Sequence, residues 1–417
     1  MNDAPQTHHE MRWFLAGVGG YFFAGGIGSV MIPWILAFVL NESAERIGIG
    51  QMAVMAPMLV LSLFGGVTAD RSELRRLLSR LQLATAVAPL ALMVSYVTGY
   101  LSFTTVICYA IAVSALGAYT MPARDSLLSR VAQRAPEITI QQVVAAATGW
   151  QFLSQVAGLL LGGTAQFLGA PFLLVAQSAS LVMAAFTTRR LPPAPAAHHK
   201  APHPVRRSRL KDIGEGIGLV WHNESVRPVV LLMFFSGILY IGVFMVLFPV
   251  LVRDVYQGGS FEIAFINVCF FGGIGVSSII QSRRVPIKRQ GRAIMLAMCT
   301  GSTVMIFLHF GPPLWVVNGL ALTWGLSAGI SMSQSRAVVQ AQTSDANRAR
   351  ILSVFQLGNM GGGPIGSFAA GYVISWLGPL DAVLLPSAAM VVLWLSIFAF
   401  TDLWRVEAPA PQAVPAQ

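Results

Sequence analysis

Charge is what this sequence lacks. Of its 417 residues only 11% are Asp, Glu, Lys or Arg, while 55% are hydrophobic. Soluble domains carry about 25% charged residues. Too little polar surface remains to meet water on all sides, so the chain must be solvated in part by lipid. Cysteine is scarce as well. Cys108, Cys269 and Cys299 each lie inside an apolar run without metal-ligand spacing, which excludes a disulfide framework and reads them as small core residues. His198, His199 and His203 stand in a Pro-rich stretch without partner ligands, so no metal site is expected there. The chain has no Gly-rich nucleotide-binding loop and no converging nucleophile and base, so no cofactor is expected and a membrane-embedded enzyme is disfavoured. Its start, MNDAPQTHHEMRW, is polar and lacks a cleavable signal pattern, so the first apolar run reads as a retained span.

What is there is a succession of long apolar runs. The stretch from Ile138 to Thr188 carries no charge and is too long for one crossing of a bilayer core, which takes roughly 20 residues. It reads as two crossings with a tight turn. Taken against their charged breaks, the runs give twelve spans, near 13–40, 47–67, 78–98, 101–122, 138–166, 170–189, 228–252, 260–281, 293–310, 313–335, 350–376 and 380–401. Only helices and closed barrels satisfy every backbone group in lipid. The runs lack the apolar/polar alternation of barrel strands, so the expected class is all-α and integral to a membrane.

Twelve spans put both termini on one side. With the N-terminus inside, 25 of the 27 Lys and Arg fall on the inner side, leaving Arg46 and Arg253 outside. That asymmetry is the positive-inside signal and places both termini in the cytoplasm, as in a bacterial inner membrane. It also accounts for the net charge of +10 without nucleic acid. The expected organisation is an N-terminal tail at 1–12, a six-helix bundle at 13–189, a cytoplasmic linker at 190–226, a second bundle at 227–402 and a Pro-rich tail at 403–417 that is read as disordered. In the linker Leu210, Ile213, Ile217 and Val220/Trp221 recur at helical spacing, which predicts an amphipathic helix over 209–222 on the inner membrane face. GGTAQFLGAP at 162–171 and GYVISWLGPL at 371–380 share a Gly spacing, as a duplication of six-helix halves would produce.

The scarce charges cluster between spans 2 and 3, in FGGVTADRSELRRLLSR. Six of them fall between Asp70 and Arg80. Arginines alone would orient the chain; Asp70 and Glu73 add nothing to that, because acidic residues contribute little to orientation. A carboxylate at Asp70 is placed to accept from the unpaired N–H groups of a neighbouring helix start, and with its Arg neighbours it can form a releasable charge knot.

Gly66–Arg71, with Arg75 and Arg76, resembles the signature loop of the major facilitator superfamily, in which Asp and Arg form an inner-side latch between two halves. By that resemblance Gly66, Asp70, Arg71, Arg75 and Arg76 are the latch residues, although Thr68 and Glu73 depart from the pattern. MPARDSLLSRVAQRA at 121–135, GEGIGLVWHNESVRPVVLL, and DANRARILSVFQLGNMGGGPIGSFAAG at 345–371 are similar to the subgroup that includes the enterobactin exporter. The resemblance implies two pseudo-symmetric bundles of six helices. The family's antiporter motif, a Gly-Pro-rich segment of span 5, is matched by Gly158, Gly162 and Gly163 with Leu159 in place of proline. A version with proline stands in span 11 at Gly363, Pro364 and Gly366. Small residues let helices approach closely and proline bends them, so both segments also read as packing motifs.

No carboxylate lies deep in a span. Asp254 and Glu262, flanking the outer turn between spans 7 and 8, are the remaining candidates for proton coupling. Family architecture points to Tyr21, Tyr119, Gln155, Tyr240, Asn267, Trp324 and Asn359 as candidate cavity residues, against the competing reading that each is packing. An apolar, aromatic cavity with amides suits a lipophilic or amphipathic small molecule. The reading is a monomeric secondary transporter in the lipid bilayer, working by alternating access and exporting such a molecule against protons. The alternatives are a facilitator or uptake carrier, or a carrier of lysophospholipid-like solutes.

Overall fold

The computed structural model describes residues 4–134, 140–194, 209–283, 287–343 and 345–407. Every regular element among them is helical. The first six long helices are α1 (Ala4–Trp34, closing in a π-turn at Ile35–Val39), α2 (Ala44–Arg71), α3 (Leu74–Val97), α4 (Phe103–Gln133), α5 (Ile140–Gly162) and α6 (Ala170–Arg189). A helix in the linker, α7 (Arg209–Trp221), precedes six more. These are α8 (Arg227–Asp254, with a π-turn at Gly237–Ile241), α9 (Ser260–Arg283), α10 (Gln290–His309), α11 (Leu314–Ala341), α12 (Asp345–Leu377) and α13 (Leu384–Phe400).

Ten of these helices are long and apolar enough to cross a bilayer. The Gly-rich α12, with 33 residues, and α13, with 17, complete the twelve places expected from the sequence. At 1.5 Å per residue the 28 residues of α2 extend about 42 Å, more than the roughly 30 Å of a hydrocarbon core. The starts are set by local chemistry. Ser102 and Thr105 form a reciprocal capping box at the head of α4, and Gly169, in the left-handed region at φ 80°, turns the chain into α6 with Pro171 in its first turn.

The chain divides into two compact units. The first comprises residues 1–203 together with 245–268 and 367–375; the second comprises 204–244, 269–366 and 376–417. In the first, Ile27, Val30, Met31, Leu159, Leu173 and Leu174 are fully enclosed between helices. In the second, Leu232, Met295, Met305, Val317, Ala321 and Trp324 play the same part. The most exposed large side chains are aromatic and sit at or near helix ends: Tyr100 and Phe167 in the first unit, Phe310, Trp315, Trp376 and Phe400 in the second. Aromatic residues at the ends of apolar helices are what a membrane–water interface selects.

The linker helix α7 spans Arg209–Trp221, and its contacts show which way its second half is turned. Gly216 and Val220 turn inward, with Gly216 against Val354 and the Arg350 backbone, and Glu215 pairs with Arg350 at 3.4 Å. Ile217 and Trp221 face outward. Of the tail expected to be disordered at 403–417, Leu403–Arg405 form a short helical turn with Leu403 buried; residues beyond 407, the histidines of the linker and most of its Pro-rich part lie outside the described residues.

Candidate functional site

The charged loop between α2 and α3 is tied down by several hydrogen bonds. Glu73 is the N-cap of α3 and accepts from the backbone N–H groups of Arg75 (3.3 Å) and Arg76 (3.0 Å). The first N–H groups of a helix have no partner within it, and a carboxylate there also meets the positive end of the helix dipole. The side chain that meets the start of α3 is thus Glu73. The Asp70 side chain lies outside the described residues, while Arg71 is exposed and Gly66 has open space around it.

Glu73 has a second task that its sequence neighbourhood does not reveal. It accepts from the N–H of Ala194 at 2.9 Å, and Leu74 N–H donates to the Ala194 carbonyl at 3.0 Å. Arg75 donates to the Leu191 carbonyl at 3.1 Å, and Arg134 at the end of α4 donates to the Pro193 carbonyl at 2.8 Å. The segment 191–194, which leaves α6, is therefore stapled to the charged loop, with Leu191 and Ala194 buried beneath it. Arg76 stays mostly exposed and pairs only loosely with Glu73, at 3.5 Å. The second unit repeats the arrangement. Gly291, at the head of α10, donates to the Val406 carbonyl at 3.1 Å, and Arg289 faces Glu407 at 3.7 Å. In the first unit the chain leaving α6 returns to the start of α3, and in the second the chain leaving α13 returns to the start of α10.

The small-residue segments cross neighbouring helices at close range. In the first unit a methyl group added at Gly158 would sit 2.9 Å from the Phe23 carbonyl carbon and 3.1 Å from Gly26 Cα, both on α1. Gly162 faces Ile27 and Val30 on the same helix, and Gly163 faces Ala264. Leu159, in the place of the expected proline, is fully buried. In the second unit the glycines of α12 that meet α8 are Gly358, Gly362 and Gly366. A methyl group at Gly362 would lie 2.6 Å from Ile238 N, on the π-turn of α8. Gly363 and Pro364 are buried beside this stripe.

The proposed cavity residues fall into two groups. Tyr21, Tyr119 and Gln155 are half-buried, and Tyr21 borders a narrow, mostly apolar crevice with Phe14, Val18 and Leu78, edged by Gln82, Thr120, Arg124 and Thr188. Tyr240, Trp324, Asn267 and Asn359 are enclosed among helices. The Tyr240 hydroxyl, in a residue only 7% exposed, donates to the Met298 carbonyl and shares a hydrogen bond with Ser302, both at 2.7 Å. Its ring meets Trp324 edge-on, and Trp324, 3% exposed, packs on Phe244 and Phe270. Asn267 donates to the Ile263 carbonyl of its own helix, and Asn359 donates to the Met233 sulfur at 3.5 Å.

Both candidate coupling carboxylates have local partners. Asp254 is forked by Arg253 at 2.6 and 3.1 Å, and Glu262 accepts from Gly259 N–H at 2.6 Å, capping α9. Around them the first unit is knit by Ser260, which donates to the Gly163 carbonyl and accepts from Gln166 N–H, and by Ser375, which donates to Glu45 at 2.6 Å.

The sequence profile of the Major Facilitator Superfamily matches residues 14–366. No match is found among curated proteins. Solved structures with the same fold include the nucleoside transporter NupG, at TM-score 0.74 and 14% identity over 96% of this chain and 99% of that one. A D-xylose-proton symporter superposes at TM-score 0.70 with 12% identity, covering 96% and 99% of the two chains. The human organic anion transporter MFSD10 does so at 0.63 with 14% identity, covering 93% and 99%.

Proposed function

The chain belongs to the Major Facilitator Superfamily, and is therefore a membrane transporter rather than an enzyme; from that premise we propose that it exports a small amphipathic or lipophilic molecule, drug-like or siderophore-like, in exchange for protons. The observation that carries the substrate class is the chemistry of the mid-span polar groups. They are hydroxyls, amides and indoles, set among the phenylalanines Phe234, Phe244 and Phe270. The described carboxylates stay toward helix ends, as Glu45, Asp254 and Glu262 do, or are exposed in the last turns, as Asp125 is. The mid-span polar groups already bond within the protein, and what the interior presents around them is aromatic and apolar surface, which suits a lipophilic solute.

Export, as the subgroup resemblance implies, would run from a bacterial cytoplasm outward, with both termini inside and the protein acting as a monomer. Gly66, Asp70, Arg71, Arg75 and Arg76 would act as the inner latch, and Glu73 would fix the loop that presents it. The linker helix would lie on the inner membrane face through Ile217 and Trp221, which face outward. A solute shifts the balance between the two open states only through unequal affinity for them.

The test is accumulation of lipophilic dyes and siderophore-like metabolites in cells making the intact protein or Asp70→Asn, with and without a protonophore. The proposal expects the intact protein to lower accumulation and both the substitution and the protonophore to abolish the effect. Lowered accumulation that survives the protonophore contradicts proton drive.

A further inference from the structure

Arg253 is one of two basic residues on the Arg-poor side of the chain, and its side chain is only 18% exposed. Within the first unit it sits at the end of α8 and donates from Nη1 to two carbonyls beyond the helical part of α1, those of Ala37 (3.2 Å) and Glu42 (2.6 Å). Its Nε and Nη2 grip Asp254 at 2.6 and 3.1 Å, which balances the charge.

The acceptors are available because of how α1 ends. Its last turn widens into the π-turn Ile35–Val39, where Leu40 N–H reaches the Ile35 carbonyl and Glu42 N–H reaches the Leu36 carbonyl. The last carbonyls of a helix lack partners within it, and a cation is favoured at that negative end of the dipole. A planar guanidinium serves two carbonyls and a carboxylate at once, which an ammonium does not do in one geometry.

The two loops joined in this way carry the two non-glycine residues found in the left-handed region among the described residues. Asn41, between α1 and α2, has φ 50°, and Gln257, between α8 and α9, has φ 49°. Residues in that region persist where their surroundings hold them, and they collect at switch segments. The other charged groups at the junction are already engaged: Glu42 with Arg46 at 2.9 Å, Glu45 with Ser375, and Glu262 with Gly259.

We infer that Arg253 is the positioning residue that holds the Arg-poor ends of α1 and α8 together, and that release of the Ala37 and Glu42 carbonyls is a required step in opening that side. The inference rests on the alternating-access reading above, and its test needs no transported solute.

Spin labels at Ser43 and Phe261, both exposed and both in the first unit, report the separation by pulsed dipolar spectroscopy in liposomes, with Cys108, Cys269 and Cys299 replaced by Ala. The intact protein should give one dominant short distance. Arg253→Gln should raise a longer-distance population about tenfold relative to the short one, the scale expected for lost charge-assisted hydrogen bonds. Arg253→Lys should fall between. A distance distribution unchanged in Arg253→Gln overturns the inference, as does a lowered melting temperature with no second distance. Should Arg253→Gln not fold, Arg253→Lys carries the test: an added longer component supports the inference and an unchanged distribution overturns it. Because no solute is involved, a failed export assay leaves this result standing, and a failed distance test leaves the export proposal standing.

Discussion

The crossing of α1 with α5 and the crossing of α8 with α12 solve one packing problem with different backbones. In both, glycines let two helices touch backbone to backbone. A methyl group added at Gly158 would lie 3.1 Å from Gly26 Cα, and one added at Gly237 would lie 3.1 Å from Gly362 Cα. The first crossing is regular: α1 stays α-helical past its contact and widens only at Ile35–Val39, and Leu159 fills the buried place on α5. The second is softened from both sides, by the π-turn Gly237–Ile241 on α8 and by Pro364 on α12. A π-turn inside a helix and a proline both loosen the hydrogen-bond ladder. The difference teaches that the α8–α12 crossing carries its capacity to bend at the contact itself, while the α1–α5 crossing is regular there and α1 keeps its irregular turn at one end.

That contrast is broken most directly by adding side chains at the crossings. Gly158→Ala should destabilise the protein by about 3 kcal/mol, because rigid backbone on both sides leaves nowhere for the methyl group to go. Gly362→Ala should cost less, about 1–2 kcal/mol, because the π-turn can shift. Thermal unfolding of both variants in detergent checks the order, and equal losses would erase the distinction. The staples should differ in the same sense. Glu73→Ala removes a helix cap and the Ala194 bond, with an expected loss of about 1–2 kcal/mol and faster proteolytic cleavage of the linker. Glu407→Ala removes a pair exposed on both partners, 61% and 62%, and should leave the melting temperature unchanged. The smallest expected effect on transport is that of Tyr240→Phe. It deletes hydrogen bonds to Met298 and Ser302, costs about 1 kcal/mol, and should leave the choice of solute as it is if Tyr240 is packing. A changed solute profile, measured by dye accumulation, would place Tyr240 at the cavity.

The helices were legible because lipid imposes a simple rule on composition. Apolar runs broken by charge gave 228–252 and 260–281, and the structure has Arg227–Asp254 and Ser260–Arg283. For Gly158 and Gly162 the sequence left a packing reading beside the antiporter one, and the structure sets both glycines close against α1. In α12 the contact was not legible. Gly361, Gly362 and Gly363 are alike in sequence, and only the rotation of the helix selects Gly362 with Gly358 and Gly366 as the contact. The mid-span aromatics met the same obstacle. A helix apolar all round has no polar face to show which way Tyr240 or Trp324 points. The Glu73 staple was out of reach because its partners stand more than a hundred residues away, at Leu191–Ala194, and include backbone groups that leave no trace in side-chain pattern.

The measurement that bears most directly on the central claim uses the purified protein in proteoliposomes with an imposed pH gradient, following a fluorescent amphipathic solute and the internal pH together. The account predicts that solute moves against its gradient while protons run down theirs, and that collapsing the pH gradient stops it. Solute movement that only equilibrates, with internal pH unchanged, would contradict proton-driven export.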